Sequence, residues 1–412
     1  MSVRDRLAQA ARADGDSLVA IALRLLARRS ETPPGDTNAV ADEVVAILAD
    51  TPSIEVERHR GADHVMNLVM RLSGGQPGRR LILNGHLDTF PLGSRAAWSA
   101  SPDGEVRDGR LYGLGISDMK GGLAAILFAL IHLAAHREAL QGEVVATFAG
   151  DEETMGVLGS KLLLDTVPHA RGDAMISADA GSPRVLRFGE KGMIWLKLTA
   201  RGRSAHAAHV HRGESAIEKL VDAIAALRAV RDLPVDAPPR VLDAIAASSQ
   251  VSEVLSGAGE SDVLRRVTIT FGTISGGRLP NLIADHAEAT ADIRLPVGIT
   301  VAEVEREIVR LAALHDVGVE ITRRYEPSWT DPEHAIIRLL SANCAALLGS
   351  VPAVTMRVGA SDARHYRGAG VPTVVCGPTA YNMGGADEHV VVDELVALGA
   401  IFALTAFDYL NG

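Results

Sequence analysis

Short apolar runs bounded by Gly, Pro or acidic residues mark 81–84, 144–149, 174–177 and 371–376 as interior strands. Between them apolar positions return at helical spacing through 18–28, 39–49, 122–136 and 160–164. Strands alternating with helices predict an α/β fold: a mostly parallel central sheet with helices on both faces. From about Gly189 the texture changes. Residues 193–199, 267–273 and 287–293 alternate apolar with polar, 214–230 and 301–314 have helical periodicity, and 317–322 reads as a further strand. This β-α-β-β-α-β order predicts a ferredoxin-like α+β unit. Beyond Trp329, a helical segment at 336–348 and the 371–376 strand restore the first texture. The expectation is an α/β domain in two parts, 1–187 and 328–412, with a small α+β domain inserted at 188–327.

Composition narrows the functional classes. The 412 residues are 47% hydrophobic and 22% charged, the balance of a folded globular chain, and the length suits two domains. Against 41 Lys and Arg stand 51 Asp and Glu, a formal charge of −10, with only 4% aromatic residues. A chain so acidic and so poor in stacking side chains is a bad candidate for a nucleic-acid binder. Cys344 and Cys376 cannot build a disulfide framework and are expected as reduced thiols, which fits the cytoplasm. No signal-peptide pattern opens the sequence: Arg4, Arg6 and Arg12 precede the first apolar stretch, which itself contains Arg24. The longest apolar stretch, 123–135, includes His132 and falls short of the roughly 20 residues that span a bilayer, so it reads as a buried helix.

The chemistry gathers at strand ends, where open α/β sheets bind ligands. The 81–84 run leads into His86 and Asp88, the 144–149 run into Asp151, Glu152 and Glu153, and the 174–177 run into Asp179. Asp118 lies in the glycine-rich turn 113–122, just before the apolar helix. Crowding these carboxylates at one end of a sheet is costly unless a cation sits among them, so a divalent metal is expected. In the extended His86-x-Asp88 pair both side chains point the same way, and Asp88 is expected to orient the imidazole rather than bind metal. Glu152 and Glu153 point in different directions, so one can coordinate while the other serves as general base. A dinucleotide-binding loop is excluded, because Asp118 stands where its third glycine belongs and would repel a pyrophosphate.

Seven motifs in order, at 84–89, 113–122, 151–154, 202–206, 281–285, 291–294 and 361–364, cover nearly the whole chain. In them the sequence resembles the acetylornithine deacetylase, succinyl-diaminopimelate desuccinylase and carboxypeptidase G family of metal-dependent amidohydrolases and metallopeptidases. The resemblance implies that His86 and Asp179 bind one metal, Asp118 bridges two, and Glu153 binds the second. It also implies that Glu152 is the base that activates water, that His206 reaches a partner subunit's site to stabilise the oxyanion, and that Asn281 and Arg294 hold the substrate. The metal is expected to be Zn(2+) or a similar divalent ion (Co, Mn), and the inserted domain to be a lid and dimerisation domain of a homodimer acting on a small molecule.

One departure matters. The family's last ligand is a His four residues before a Glu in a His-x-x-Asp-Glu pattern; here Asp387 and Glu388 are present, but Gly384 takes the His position. Three alternatives follow: His389 or Asn382 substitutes through a different loop path, the enzyme works with one metal, or activity has been lost. Intact Glu152, His86, Asp118, Asp179 and His206 argue against the last. The expected function is hydrolysis of an N-acyl or peptide-like amide of a small carboxylate-bearing substrate by metal-activated water. The alternatives are a hydrolase of an unusual C–N bond, of aminohydrolase or carbamoyl-amide type, and a catalytically silent binding protein.

Overall fold

Strands Gln141–Ala149, Gln76–His86, Ala174–Ser177 and Thr373–Val375 lie side by side and parallel, in that order, in the computed structural model, which describes residues 1–412. The parts of these strands that form the middle of the sheet are buried on both faces, as unbroken apolar runs require. Toward the margins the sheet turns antiparallel. Ile54–Arg60 pairs with Met66–Ser73, which pairs with Gln141–Ala149, and at the far side Thr373–Val375 meets the strand beginning at Val185. The expected mostly parallel sheet is therefore a mixed one. The link between Arg60 and Met66 is far too short for the crossover that parallel neighbours need.

Helices cover both faces. Ile82, Val145 and Met175 project to one side, against Leu163, Val167 and Tyr366. On the other side lie the helices Gly121–Ala134 and Val392–Asn411, packed on each other and on the central strands. Gly121–Ala134 is apolar around its circumference and buried through nearly all its length, which makes it a core helix. With the preceding turn it forms a run, Ile116–Ala134, long and apolar enough to cross a membrane by composition, yet 83% of it is buried inside the fold.

Glu143 ties three strands together, its carboxylate accepting from Arg80 Nε at 2.6 Å and, on the other oxygen, from Arg71. Burial alone would raise its pKa; the two guanidinium groups outweigh burial and hold the carboxyl below its usual range. A depressed folded value means that the stabilisation is present above the unfolded carboxyl's pKa and is lost as pH falls through the folded one. Glu143→Gln is expected to cost about 1 kcal/mol at neutral pH, discounted for partly exposed arginines. Urea unfolding across pH checks this: the gap from wild type narrows toward acid, and a gap independent of pH refutes the assignment.

By contacts the chain forms two units, Met1–Phe188 with Thr330–Thr355 and Ser361–Gly412, and Gly189–Trp329 with Met356–Ala360. The second unit has a four-stranded antiparallel sheet ordered Thr268–Gly276, His286–Leu295, Gly192–Arg201, Val317–Tyr325. Helices Ala216–Leu227 and Val301–Ala313 complete the β-α-β-β-α-β order. Ile194, Leu196 and Leu198 alternate inward while Trp195, Lys197 and Thr199 face away, the pattern of a sheet packed on one side. A third long helix, Pro239–Ser256, falls in a stretch where periodicity gave no element.

Candidate active site

Register puts the chemistry at one edge. His86 pairs with Ala149 in the parallel ladder, so Asp151, Glu152 and Glu153 follow at the same end of the sheet. Asn84 pairs with Ser177, which places Asp179 two residues beyond that end. Asp118 reaches the same place from the turn before the core helix, where its backbone (φ −132°, ψ 85°) breaks the helical path.

His86, Asp118 and Glu153 each offer a ligand atom, all within 4.8 Å of one another. His86 is buried; its Nε2 lies 3.0 Å from Asp118 Oδ1, and its Nδ1 donates to the Asp88 main-chain carbonyl at 2.9 Å. The Asp88 carboxylate is farther from that ring, at 3.5 Å. It is spent instead on the loop opposite, accepting from Glu152 N at 3.1 Å and Glu153 N at 3.0 Å. Asp88 thus orients His86 chiefly through its carbonyl and fixes the Glu152–Glu153 turn with its side chain. Asp179 is buried at the same edge but is outside the three-residue group.

The electrostatics describe a site built for positive charge. Burial pushes the Glu153 carboxyl up to about 9, and the charges of Asp118, Asp88 and Asp179 add to it while His86 opposes. Burial likewise drives Glu152 well above the carboxylate range, with His86 opposing and Asp362, Asp179 and Glu153 adding. Burial alone would lower the His86 pKa, but Asp118 and Asp88 outweigh it and raise it well above normal. Glu153 Oε1 is buried with no hydrogen-bond partner. An unpartnered oxygen facing a histidine and a second carboxylate fits a divalent cation, which one imidazole and two carboxylates suit chemically.

Two braces lie outside the expected set. Arg364 donates to the carbonyls of Ser361 (2.7 Å) and Met155 (2.6 Å), and its Nη1 stands 3.9 Å from Glu152 Oε1. Glu388 binds the main chain of the Asp118 turn. The motif spacing had marked both residues, without showing what they grip. Gly384 has φ +67°, and a Cβ there would meet the Phe90 ring at 3.4 Å. His389 does not join the ligand group: its ring stacks on Tyr381, and its Nδ1 donates to the Asp387 carbonyl at 2.9 Å. Asn382 donates to that same carbonyl at 3.4 Å.

In the second unit, His206 and Asn281 come together: Ala207 N donates to the Asn281 carbonyl at 2.9 Å, and His206 bridges Leu282. Both are exposed, and His206 Nδ1 accepts from Ala208 N at 3.2 Å, leaving Nε2 as the outward nitrogen. Arg294 is half-buried, with its fork closed on Asp292 at 2.7 and 2.9 Å and its remaining edge 3.3 Å from the Tyr325 hydroxyl. Its planar face for a carboxylate is thus engaged by its own strand neighbour.

A metal-ligand group at the carboxyl edge of a mixed α/β sheet, with a second acid beside it, defines the class of a metal-dependent hydrolase. The family model described as Peptidase family M20/M25/M40 matches residues 82–408, and the chain belongs to that family. It is similar to a succinyl-diaminopimelate desuccinylase of Cereibacter sphaeroides, 31% identical over 84% of this chain and 87% of that protein. Among solved structures it resembles an M20 family metallo-carboxypeptidase from Sulfolobus solfataricus (TM-score 0.77, 15% identity, covering 95% of this chain and 98% of that one). It also resembles a tripeptidase from Staphylococcus aureus (TM-score 0.75, 20% identity, covering 97% and 99%). At those identities the structures speak for the fold; the family makes the chain a hydrolase of the amidohydrolase and peptidase type.

Proposed function

We propose that this enzyme removes an N-acyl group from a small carboxylate-bearing amine, with N-succinyl amino acids the first substrate class to test and zinc the first metal. The observation that carries the reading is the convergence of His86, Asp118 and Glu153, with Glu152 adjacent and outside the group. When bound there, a divalent ion supplies a Lewis acid that polarises the amide carbonyl and makes water acidic enough to ionise near neutrality. Glu152 takes the proton from water and passes it to the leaving nitrogen, the two-way role that a carboxyl beside the ligand group and outside it can fill. Asp179 adds negative charge at the rim and serves as a further ligand. In a homodimer His206 offers Nε2 to the oxyanion developing in the other protomer's site, and Asn281 and Arg294 hold the substrate, the carboxylate displacing Asp292 from part of the guanidinium fork.

The Gly189–Trp329 unit acts as lid and as dimerisation surface. Its edge strand Thr268–Gly276 is largely exposed, and exposed Ile274, Leu279, Leu282 and Val210 lie on or near it, beside an open hollow of about 540 Å³. An unpaired edge with apolar neighbours favours pairing with a second copy. The buried thiols Cys344 and Cys376 are compatible with the cytoplasm.

Gly384 favours a one-metal enzyme, and with it a second reading, hydrolysis of another C–N bond with release of ammonia. Chelator-stripped protein titrated with zinc, and assayed on a panel of N-acyl amino acids, tests both. The expected result is carboxylate release that saturates near one zinc per chain. Ammonia release supports the second reading, and no turnover of any N-acyl amino acid with any divalent ion overturns the proposed deacylation.

A further inference from the structure

We infer that Glu388 is a positioning residue, a carboxylate clamp that fixes Asp118 within the metal-ligand group by holding the main chain of residues 115–118; the inference rests on the metal reading above. Glu388 is 1% exposed. One oxygen accepts from Gly115 N at 3.0 Å; the other accepts from Ser117 N at 2.9 Å, Ser117 Oγ at 2.7 Å and Asp118 N at 3.3 Å. These amides sit where the chain has left helical geometry, ahead of the helix that starts at Gly121, so that helix does not satisfy them. The clamp itself is rigidly carried. Gly113 N donates to the Glu388 carbonyl at 3.0 Å, and the strand His389–Val391 that follows pairs with Arg110–Tyr112.

All four partners of this carboxylate are donors, so a carboxylate is required: an amide would turn an N–H group toward at least one of them. The Asp88 side chain does the same for the neighbouring ligand turn through Glu152 N and Glu153 N. The turns that deliver Asp118 and Glu153 are therefore each gripped by a buried carboxylate outside the ligand group. Asp387, one residue earlier, uses identical chemistry on Ser99 N (2.8 Å), Ser99 Oγ (2.7 Å) and Ala100 N (2.9 Å), a turn that delivers no ligand. It supplies the control.

The test measures zinc affinity of the stripped full-length chain against a competing chelator, together with the visible absorption of the cobalt-loaded protein and the melting temperature without metal. Glu388→Gln is expected to weaken zinc binding about 10–100-fold and to shift the cobalt bands, the size seen when outer partners of metal ligands are lost. Asp387→Asn is expected to stay within about twofold of wild type, because it loosens the same segment without touching a ligand turn. Wild-type affinity and spectrum in Glu388→Gln, or an equal loss in Asp387→Asn, overturns the inference. Should Glu388→Gln fail to fold, Ser117→Ala decides: about threefold weaker binding, one hydrogen bond's worth, supports the clamp and unchanged binding overturns it. A wild-type chain that binds no divalent ion overturns the metal reading, and this inference with it.

Discussion

Glu152→Gln is expected to bind metal as the wild type does and to hydrolyse its substrate about 10²–10⁴-fold more slowly, the usual contribution of a positioned base. The substitution keeps the shape of the side chain and removes only its ability to accept and return a proton. The turn that carries it stays in place, because Asp88 holds it through the main-chain N–H groups of Glu152 and Glu153, and Arg364 holds the Met155 carbonyl. The loss therefore falls on kcat, with KM little changed, since no ground-state contact with substrate is assigned to this residue. Metal content by mass spectrometry and steady-state kinetics on the same preparation check the result. A variant that has lost its metal makes Glu152 a ligand, and one that retains turnover removes it as the base.

What the sequence reveals and conceals has a physical pattern. The gathering of His86, Glu153 and Asp179 at one sheet edge was legible because unbroken apolar runs point to buried parallel strands, and a charge at the end of such a strand has few structural uses; that Asp179 falls outside the three-residue ligand group was not. The hairpin Ile54–Arg60 with Met66–Ser73 was not. Glu55, Glu57, Arg58 and Arg60 line its outer strand, which has solvent on one side and so lacks the apolar run. Helix Pro239–Ser256 buries Ser248 and Ser252 along with Val241 and Ile245, which blurs its apolar stripe. The roles of Asp88 and Glu388 were hidden for another reason. Both side chains act on backbone N–H groups of distant turns, and a backbone donor has no residue type to leave a trace in the sequence. Arg294 with Asp292 is the opposite case, since residues two apart on a strand share a face and their pairing follows from spacing alone.

Glu153→Gln is expected to move two properties in opposite directions: metal affinity falls by more than about 100-fold, while the metal-free fold gains about 1–3 kcal/mol at mildly alkaline pH. Glu153 Oε1 has no hydrogen-bond partner, and burial among Asp118, Asp88 and Asp179 lifts the carboxyl to about 9. In the unfolded chain that group ionises near its ordinary value. Between the two values the unfolded chain releases a proton that the folded chain retains, so metal-free wild type loses stability as pH rises from about 4.5 toward 9. The neutral amide has no such dependence. Urea unfolding of stripped protein should show the variant's advantage at about pH 8 and almost none at about pH 5; an advantage absent at both refutes the electrostatic account. Saturating zinc should reverse the order, because the ion stabilises only the chain that binds it tightly. A carboxylate that weakens the empty fold and strengthens the loaded one is what a ligand requires and a structural acid does not, so the sign reversal on adding zinc separates the two roles of Glu153 without any assay of turnover.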